Sequence, residues 1–119
     1  MIDIPEEVKT LIEGNPIAIA TRMSDGNPNV IGVAYVKVIE NQMLITDVYM
    51  HQTIEDIQKN PNVAIVVWDK SMNGYKLIGK ATYYTSGEWI EKVKLIPENA
   101  HHVVKGAIVV SLNKIIKSS

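Results

Sequence analysis

Residues 44–69 read LITDVYMHQTIEDIQKNPNVAIVVWD, and this stretch decides the fold. It predicts a strand, a loop, a short helix and a second strand. Ile54 and Ile57 lie three residues apart, on one face of the predicted helix, and Asn60-Pro61 marks its end. The run AIVVW is too short to span a membrane and too rich in β-branched residues for a loop, so it predicts a buried strand.

The join between the loop and the helix carries a chemical signal. His51, Gln52 and Thr53 bring side-chain donors to the helix start, where backbone N–H groups are free and the helix dipole is positive. That arrangement favours an anion, and phosphate is the common biological choice. Thr53, with Asp56 three residues on, also resembles a capping box. A Thr53 that only caps its own helix is therefore the alternative interpretation.

Composition narrows the class of protein. The chain has 119 residues, which predicts a single domain over residues 1–119 with a substantial core. A net charge of −1 without a basic run indicates neither nucleic acid nor an anionic membrane as a partner. Cysteine is absent, which excludes disulfides and thiolate chemistry. No apolar run approaches the roughly 20 residues of a transmembrane helix, so we expect a cytoplasmic protein.

The other elements follow from turn signals and apolar runs. A helix is expected from an Asp3 cap through Pro5 to a stop at Gly14-Asn15. Turn residues between the apolar runs predict six antiparallel strands and therefore a barrel. The strands are residues 17–21, 29–39, 43–46, 64–68, 75–86 and 106–112, with a helix from Gly87-Glu88 to Pro97 and a tail over 113–119. Gly32 and Gly79 lie inside strands and indicate a bend, a bulge or a close ligand approach.

Histidines are the remaining candidates for chemistry. His101 and His102 are adjacent, so their side chains diverge on a helix or a strand, and no third ligand lies at a suitable spacing. We therefore predict no metal site. His51 either donates to an anion or is an ordinary loop residue. Neither a Ser-His-Asp arrangement nor a catalytic pair of carboxylates is evident, so no catalytic side chain is predicted.

The ordered series of motifs resembles the pyridoxamine 5'-phosphate oxidase-like family of FMN-binding split barrels, and its small FMN-binding members most closely. The first motif is the helix that ends in Asn-Pro, followed by VAIVVWD. Upstream, IAIATRMSDGNPNVIGVAYVKV is similar to the family's opening hairpin. Downstream, YKLIGKATYYTSGEWIEKV is similar to its strand-to-helix passage. The resemblance covers residues 17–94 and implies a mainly β, six-stranded antiparallel split barrel of Greek-key type with short flanking helices.

The resemblance also implies a cofactor and a function. FMN would supply hydride or electron transfer in an oxidoreductase, with a small molecule or a protein as redox partner. The family implies a homodimer with FMN in the interface clefts, and residues 63–68 are the expected interface strand. The expected FMN-binding residues are Val30, Ile31, Gly32, Val33, Ile45, Thr46, Asp47, Val48, His51, Gln52 and Thr53.

One departure from the family pattern leaves alternatives open. Many members carry Arg or Lys where this chain has Gln52, which donates to phosphate without adding charge. Arg22, Lys70 or Lys76, from this subunit or from a neighbouring one, could supply the charge instead. A cofactor-free binding or structural protein on the same fold is the main alternative function. A family member that uses a deazaflavin or degrades haem is a third.

Overall fold

The computed structural model describes residues 1–118 and shows a mainly β protein with one antiparallel sheet of seven strands and three α-helices. The elements are α1 (Glu6–Gly14), β1 (Ile17–Arg22), β2 (Pro28–Val33), β3 (Val36–Ile39), β4 (Gln42–Asp47), α2 (Gln52–Lys59), β5 (Asn62–Trp68), β6 (Gly74–Tyr84), α3 (Glu88–Lys94) and β7 (Gly106–Ser118). A short 3-10 helix (Pro97–Asn99) lies between α3 and β7. No helix in this part of the chain has the length and apolar character to cross a membrane.

The order of the strands explains why the sheet curls. Across the sheet the order is β2-β1-β5-β6-β7-β4-β3, so the two edge strands follow one another in the chain. In a flat sheet these edges would lie about 29 Å apart. Only Ala34 and Tyr35 join them, and the three steps from Val33 to Val36 reach at most about 11 Å. The sheet must therefore bend its edges together, which is consistent with the predicted split barrel.

The prediction of six strands is wrong by one. The stretch expected to be one strand over residues 29–39 changes partner halfway. Val33 pairs with Ile17 on β1, whereas Val36 pairs with Ile45 on β4. Its continuous apolar pattern gives no turn signal at the break. Gly32 keeps a regular pairing with Ala18, so it is not a bulge.

The last strand is longer than predicted. The tail expected over residues 113–119 is wrong for residues 113–118, which belong to β7, and Ser119 lies outside the described residues. These mostly polar residues form a strand because β6 pairs with β7 as far as Ser118. By contrast, β4 pairs only with residues 106–110 of β7.

Alternation along the strands places the core inside the curled sheet. In β5, residues 63, 65 and 67 are buried, and the residues between them are half-buried. Val8 and Ile12 of α1 pack into the same core. Its fully buried large side chains include Ile17, Ile19, Met43, Ile45, Ile65, Leu77, Ile108 and Leu112. A second cluster lies between α3 and the outer faces of β4 and β7.

Both predicted helix caps are wrong. Helix α1 begins after Pro5, and Asp3 instead accepts a hydrogen bond from Asn41 Nδ2 at 3.2 Å. Helix α2 begins at Gln52 with His51 as its N-cap residue, and no side chain caps it. Thr53 and Asp56 are both buried, and their side chains form hydrogen bonds with other side chains instead of capping the helix. The predicted end of α2 at Asn60 is confirmed.

Gly79 provides a test of the close packing of the barrel. The prediction of a bulge is confirmed here, since the pairing of β6 with β7 shifts between Ile78 and Gly79. A Cβ at Gly79 would overlap the carbonyl oxygen of Ser111. We expect Gly79→Ala to lower the free energy of unfolding by about 1–3 kcal/mol. The measurement is urea denaturation.

Gly14→Ala is the matched control. Gly14 lies in the last turn of α1 with no atom within 4 Å of an added Cβ among the described residues. Alanine should there stabilise the protein by roughly 0.5–1 kcal/mol. Equal effects of the two substitutions would contradict the close approach at Gly79.

Candidate functional site

A cavity of about 440 Å³ lies where β2 passes into β3. Three segments line it. The first is residues 31–35 at the strand break, the second is Thr46 with residues 48–53, and the third is Glu98, Asn99 and His102 after α3. The cavity thus owes its place to the curl of the sheet, which brings the end of β2 beside the end of β4 and the start of α2.

Eight of the eleven predicted cofactor-binding residues line this cavity. They are Ile31, Gly32, Val33, Thr46, Val48, His51, Gln52 and Thr53. The other three do not. Val30 is 65% exposed and lies in β2 just before the first lining residue. Ile45 is buried in the core, and Asp47 is buried beneath the loop that follows β4.

The start of α2 gives one end of the cavity the character of an anion site. The first helical bond runs from Glu55 N to His51 O at 3.1 Å, so the N–H groups before Glu55 have no acceptor within the helix. Thr53 is only 2% exposed yet lines the cavity. Gln52, Thr53 and the positive end of the helix dipole therefore border the same cavity.

A chain of hydrogen bonds lies behind Thr53. Its Oγ1 accepts from Asn29 Nδ2 at 3.1 Å, and the same nitrogen donates to Thr21 Oγ1 at 3.1 Å. Thr21 in turn donates to Asp56 Oδ2 at 2.7 Å. The other oxygen of Asp56 accepts from Gln52 Nε2 at 2.7 Å. These contacts tie β1, β2 and α2 together below the cavity.

A second buried carboxylate holds the loop of residues 48–51. Asp47 accepts from Met50 N at 2.9 Å and from the Tyr83 hydroxyl at 2.6 Å. Lys105 closes the loop from outside, since its Nζ donates to Met50 O at 2.8 Å. Burial of Tyr83 and its hydrogen bond to Asp47 raise the pKa of the phenol, so Tyr83 remains a donor at ordinary pH.

The third wall was not predicted. Asn99 donates to Thr46 Oγ1 and to Val93 O, both at 2.8 Å, and so fixes the 3-10 helix against β4. Glu98 Oε2 lies 3.7 Å from Lys37 Nζ. His102 lines the cavity from the loop that follows. These residues lie about 50 positions from Thr46 along the chain, and no local motif marks them as neighbours of β4.

Within a single subunit, the predicted sources of positive charge lie away from the cavity. Arg22, Lys70 and Lys76 are exposed and do not line the cavity. Lys105, which the sequence analysis did not single out, contacts the cavity loop instead. No group of three His, Asp or Glu side chains within residues 1–118 is arranged to hold a metal ion.

The curled antiparallel sheet and its cavity at the start of a helix define a class of small barrel with a candidate ligand site. The sequence model described as pyridoxamine 5'-phosphate oxidase matches residues 4–111. The chain belongs to this family.

Individual proteins are similar to this chain in sequence or in structure. The chain is 29% identical to an uncharacterized protein of Methanocaldococcus jannaschii, over 97% of this chain and 80% of that protein. HupZ of Group A Streptococcus has a similar structure, with a TM-score of 0.88 at 23% identity over 96% of this chain and 93% of that one. An FMN-binding protein from Syntrophomonas wolfei has a TM-score of 0.79 at 16% identity, over 96% and 85% of the two chains. The two structural likenesses show a shared fold.

Tyr83→Phe tests the support of the cavity loop. It removes the hydroxyl that donates to buried Asp47, so we expect the free energy of unfolding to fall by about 1.5–3 kcal/mol. Chemical denaturation measures this change. The matched control is Tyr84→Phe, because the neighbouring hydroxyl makes no side-chain hydrogen bond among the described residues. Its effect should stay within about 0.5 kcal/mol, and equal losses in both variants would contradict the role of Asp47.

Proposed function

We propose that this protein binds FMN and acts as a flavin-dependent oxidoreductase. One observation carries the proposal. The cavity ends at the start of α2, where the buried Thr53 and free backbone N–H groups offer donors to a phosphate. Bound FMN would supply hydride or electron transfer, and this chain would bind and orient it. A small molecule or a protein would serve as redox partner.

The lining residues fit such a ligand. A volume of about 440 Å³ lies within the range of small-molecule sites, roughly 300–1,000 Å³. Ile31, Val33 and Val48 give part of the wall an apolar surface for a flat ring. Thr46 and Asn99 add polar groups at the wall beside the 3-10 helix. The residues therefore combine an anion-binding end, an apolar surface and a few hydrogen-bonding groups.

Gly32 suits the close approach of a flat ligand. It is exposed within β2, lines the cavity and keeps regular strand pairing. The nearest atom to an added Cβ is a backbone oxygen at 4.0 Å, so the fold itself leaves room for a side chain there. Because Gly32 has no side chain, a flat ligand can approach the backbone closely at this part of the wall.

A second copy of the chain would complete the site. Tyr35 and Tyr49 line the cavity, yet they are 58% and 80% exposed. Exposed aromatic side chains are typical of the centres of interfaces. On the outer face of β5, Val66 is half-buried and Trp68 is exposed. We propose an isologous homodimer that uses this face and places FMN at the interface.

A cofactor-free binding or structural protein is the second candidate. The observation that favours it is Asp56, a buried carboxylate one helical turn from the proposed phosphate site. Its charge opposes a bound anion, and it engages the Gln52 amide nitrogen. Flavin titration separates the two candidates. Bound FMN should lose or shift its fluorescence and its absorbance, and a protein that leaves both unchanged is not an FMN protein.

Thr53→Val tests the phosphate anchor. Valine keeps the volume but removes the hydroxyl, so affinity for FMN should fall about tenfold to a hundredfold. Riboflavin, which lacks the phosphate, should bind the variant as it binds the original protein. Fluorescence titration of both ligands measures the difference. Equal weakening of FMN and riboflavin would place the anchor elsewhere.

Val66→Lys tests the dimer. Light scattering should give twice the chain mass of 13.2 kDa for the unmodified protein. A lysine on the outer face of β5 should shift the protein toward monomer because it buries a charge in the interface. Leu95→Lys is the control, since Leu95 is 82% exposed and lies after α3. A monomer that binds FMN tightly would contradict the dimer.

A further inference from the structure

Asp56 is a buried charge that needs an explanation. Its side chain is 1% exposed, and no cation among residues 1–118 pairs with it. Within the described part of the chain, only the Thr21 hydroxyl and the Gln52 amide donate to it. A buried carboxylate with neutral partners is costly, and this one lies on the helix whose start would hold an anion.

The carboxylate fixes the direction of the hydrogen bonds behind the cavity. A carboxylate only accepts, so Thr21 must give its single proton to Asp56. The Asn29 atom that lies 3.1 Å from Thr21 Oγ1 must then be the amide nitrogen, because Thr21 has no second proton to donate. That nitrogen carries two protons, and its other contact is Thr53 Oγ1.

Thr53 therefore accepts from within the protein and keeps its own proton for the cavity. We propose that Asp56 is a positioning residue that acts through Thr21 and Asn29. It makes the Thr53 hydroxyl a donor to the anionic group of the bound ligand. This inference rests on the proposed FMN function and deepens it, because it names the residue that favours a phosphorylated ligand over its unphosphorylated form.

Asp56→Asn tests the proposal without a change in size. With Gln52 still donating to the amide oxygen, the amide nitrogen takes the place of the oxygen that faces Thr21 and donates to it. Thr21 is then free to donate to Asn29 instead. Asn29 can then present its oxygen to Thr53, and the Thr53 proton turns away from the cavity. We expect FMN to bind about tenfold more weakly or worse, with riboflavin unchanged. Simple electrostatics predicts the opposite, tighter binding of FMN after loss of a negative charge.

Glu55→Gln is the matched control for charge. It makes the same charge change one residue earlier, on an exposed side chain that pairs with Lys59 at 3.1 Å. FMN should bind this variant as tightly as the original protein or more tightly. The double variant Asp56→Asn with Thr53→Val adds a second control. If Asp56 acts through Thr53, Asp56→Asn should weaken FMN no further once the hydroxyl is gone.

If circular dichroism shows that Asp56→Asn is misfolded, a second pair of variants tests the proposal instead. Thr21→Val interrupts the same chain of hydrogen bonds, and Thr21→Ser restores the hydroxyl. FMN binding should fall in the first and recover in the second. FMN binding to folded Asp56→Asn as tight as to Glu55→Gln would overturn the proposal. So would equal weakening of FMN and riboflavin, or no loss in Thr21→Val. If the unmodified protein binds no FMN, the proposed function fails, and this inference fails with it.

Discussion

The two-residue link between β2 and β3 is the constraint on which the rest of the structure depends. These strands are the two edges of the sheet, and Ala34 and Tyr35 keep the end of β2 within about 11 Å of the start of β3. The resulting curl encloses the aliphatic core and brings the end of β2 against the start of α2. The cavity lies at this link. The chain changes its pairing partner there, from β1 to β4, so the two edge strands do not pair with each other across the break.

Two buried aspartates shape the cavity without facing it. Asp47 ends β4 and holds the loop through Met50 and Tyr83, while Asp56 holds the hydrogen-bonded side chains beneath α2. Both use neutral donors at short distance. The cavity wall is thus preorganised mainly by fixed dipoles, and Lys105 adds a charged contact to the loop through Met50 O at 2.8 Å and Asp47 Oδ1 at 3.9 Å. Such a wall needs little reorganisation when a ligand arrives, and its interactions are less sensitive to salt than exposed ion pairs.

The sequence predicted those features that depend on local chemistry. The β-branched run in β5, the hairpin turn before Pro28 and the stop at Asn60-Pro61 are each contained in a few neighbouring residues. The break at Ala34 was missed because a change of strand partner leaves no mark in an apolar run. The end of β7 was missed because its strand character comes from β6 rather than from its own polar residues.

The residues of the candidate site also fall into two groups: those that a local sequence pattern predicts and those that only the fold brings together. The residues around Thr53 were found because a loop that leads into a helix is a local pattern. Their grouping with residues 31–33 came from family resemblance, since β2 and α2 meet only through the fold. No local sequence pattern marked Asn99 and His102 as parts of the site, because their position depends on a contact between the 3-10 helix and Thr46. The capping box failed for a related reason. Thr53 accepts from a residue on β2, 24 residues away, and Asp56 accepts from a residue on β1, 35 residues away.

The length of β7 has a consequence for the solubility of the folded chain. Residues 106–110 lie between two strands, and Leu112 O accepts from Ile2 N at 3.0 Å. Beyond that point, within the described residues, the strand pairs with β6 alone and presents an open edge. An open edge can recruit a strand from another molecule and begin aggregation. Lys114 and Lys117 are exposed along this edge, and the cost of bringing their charges against an incoming strand protects it.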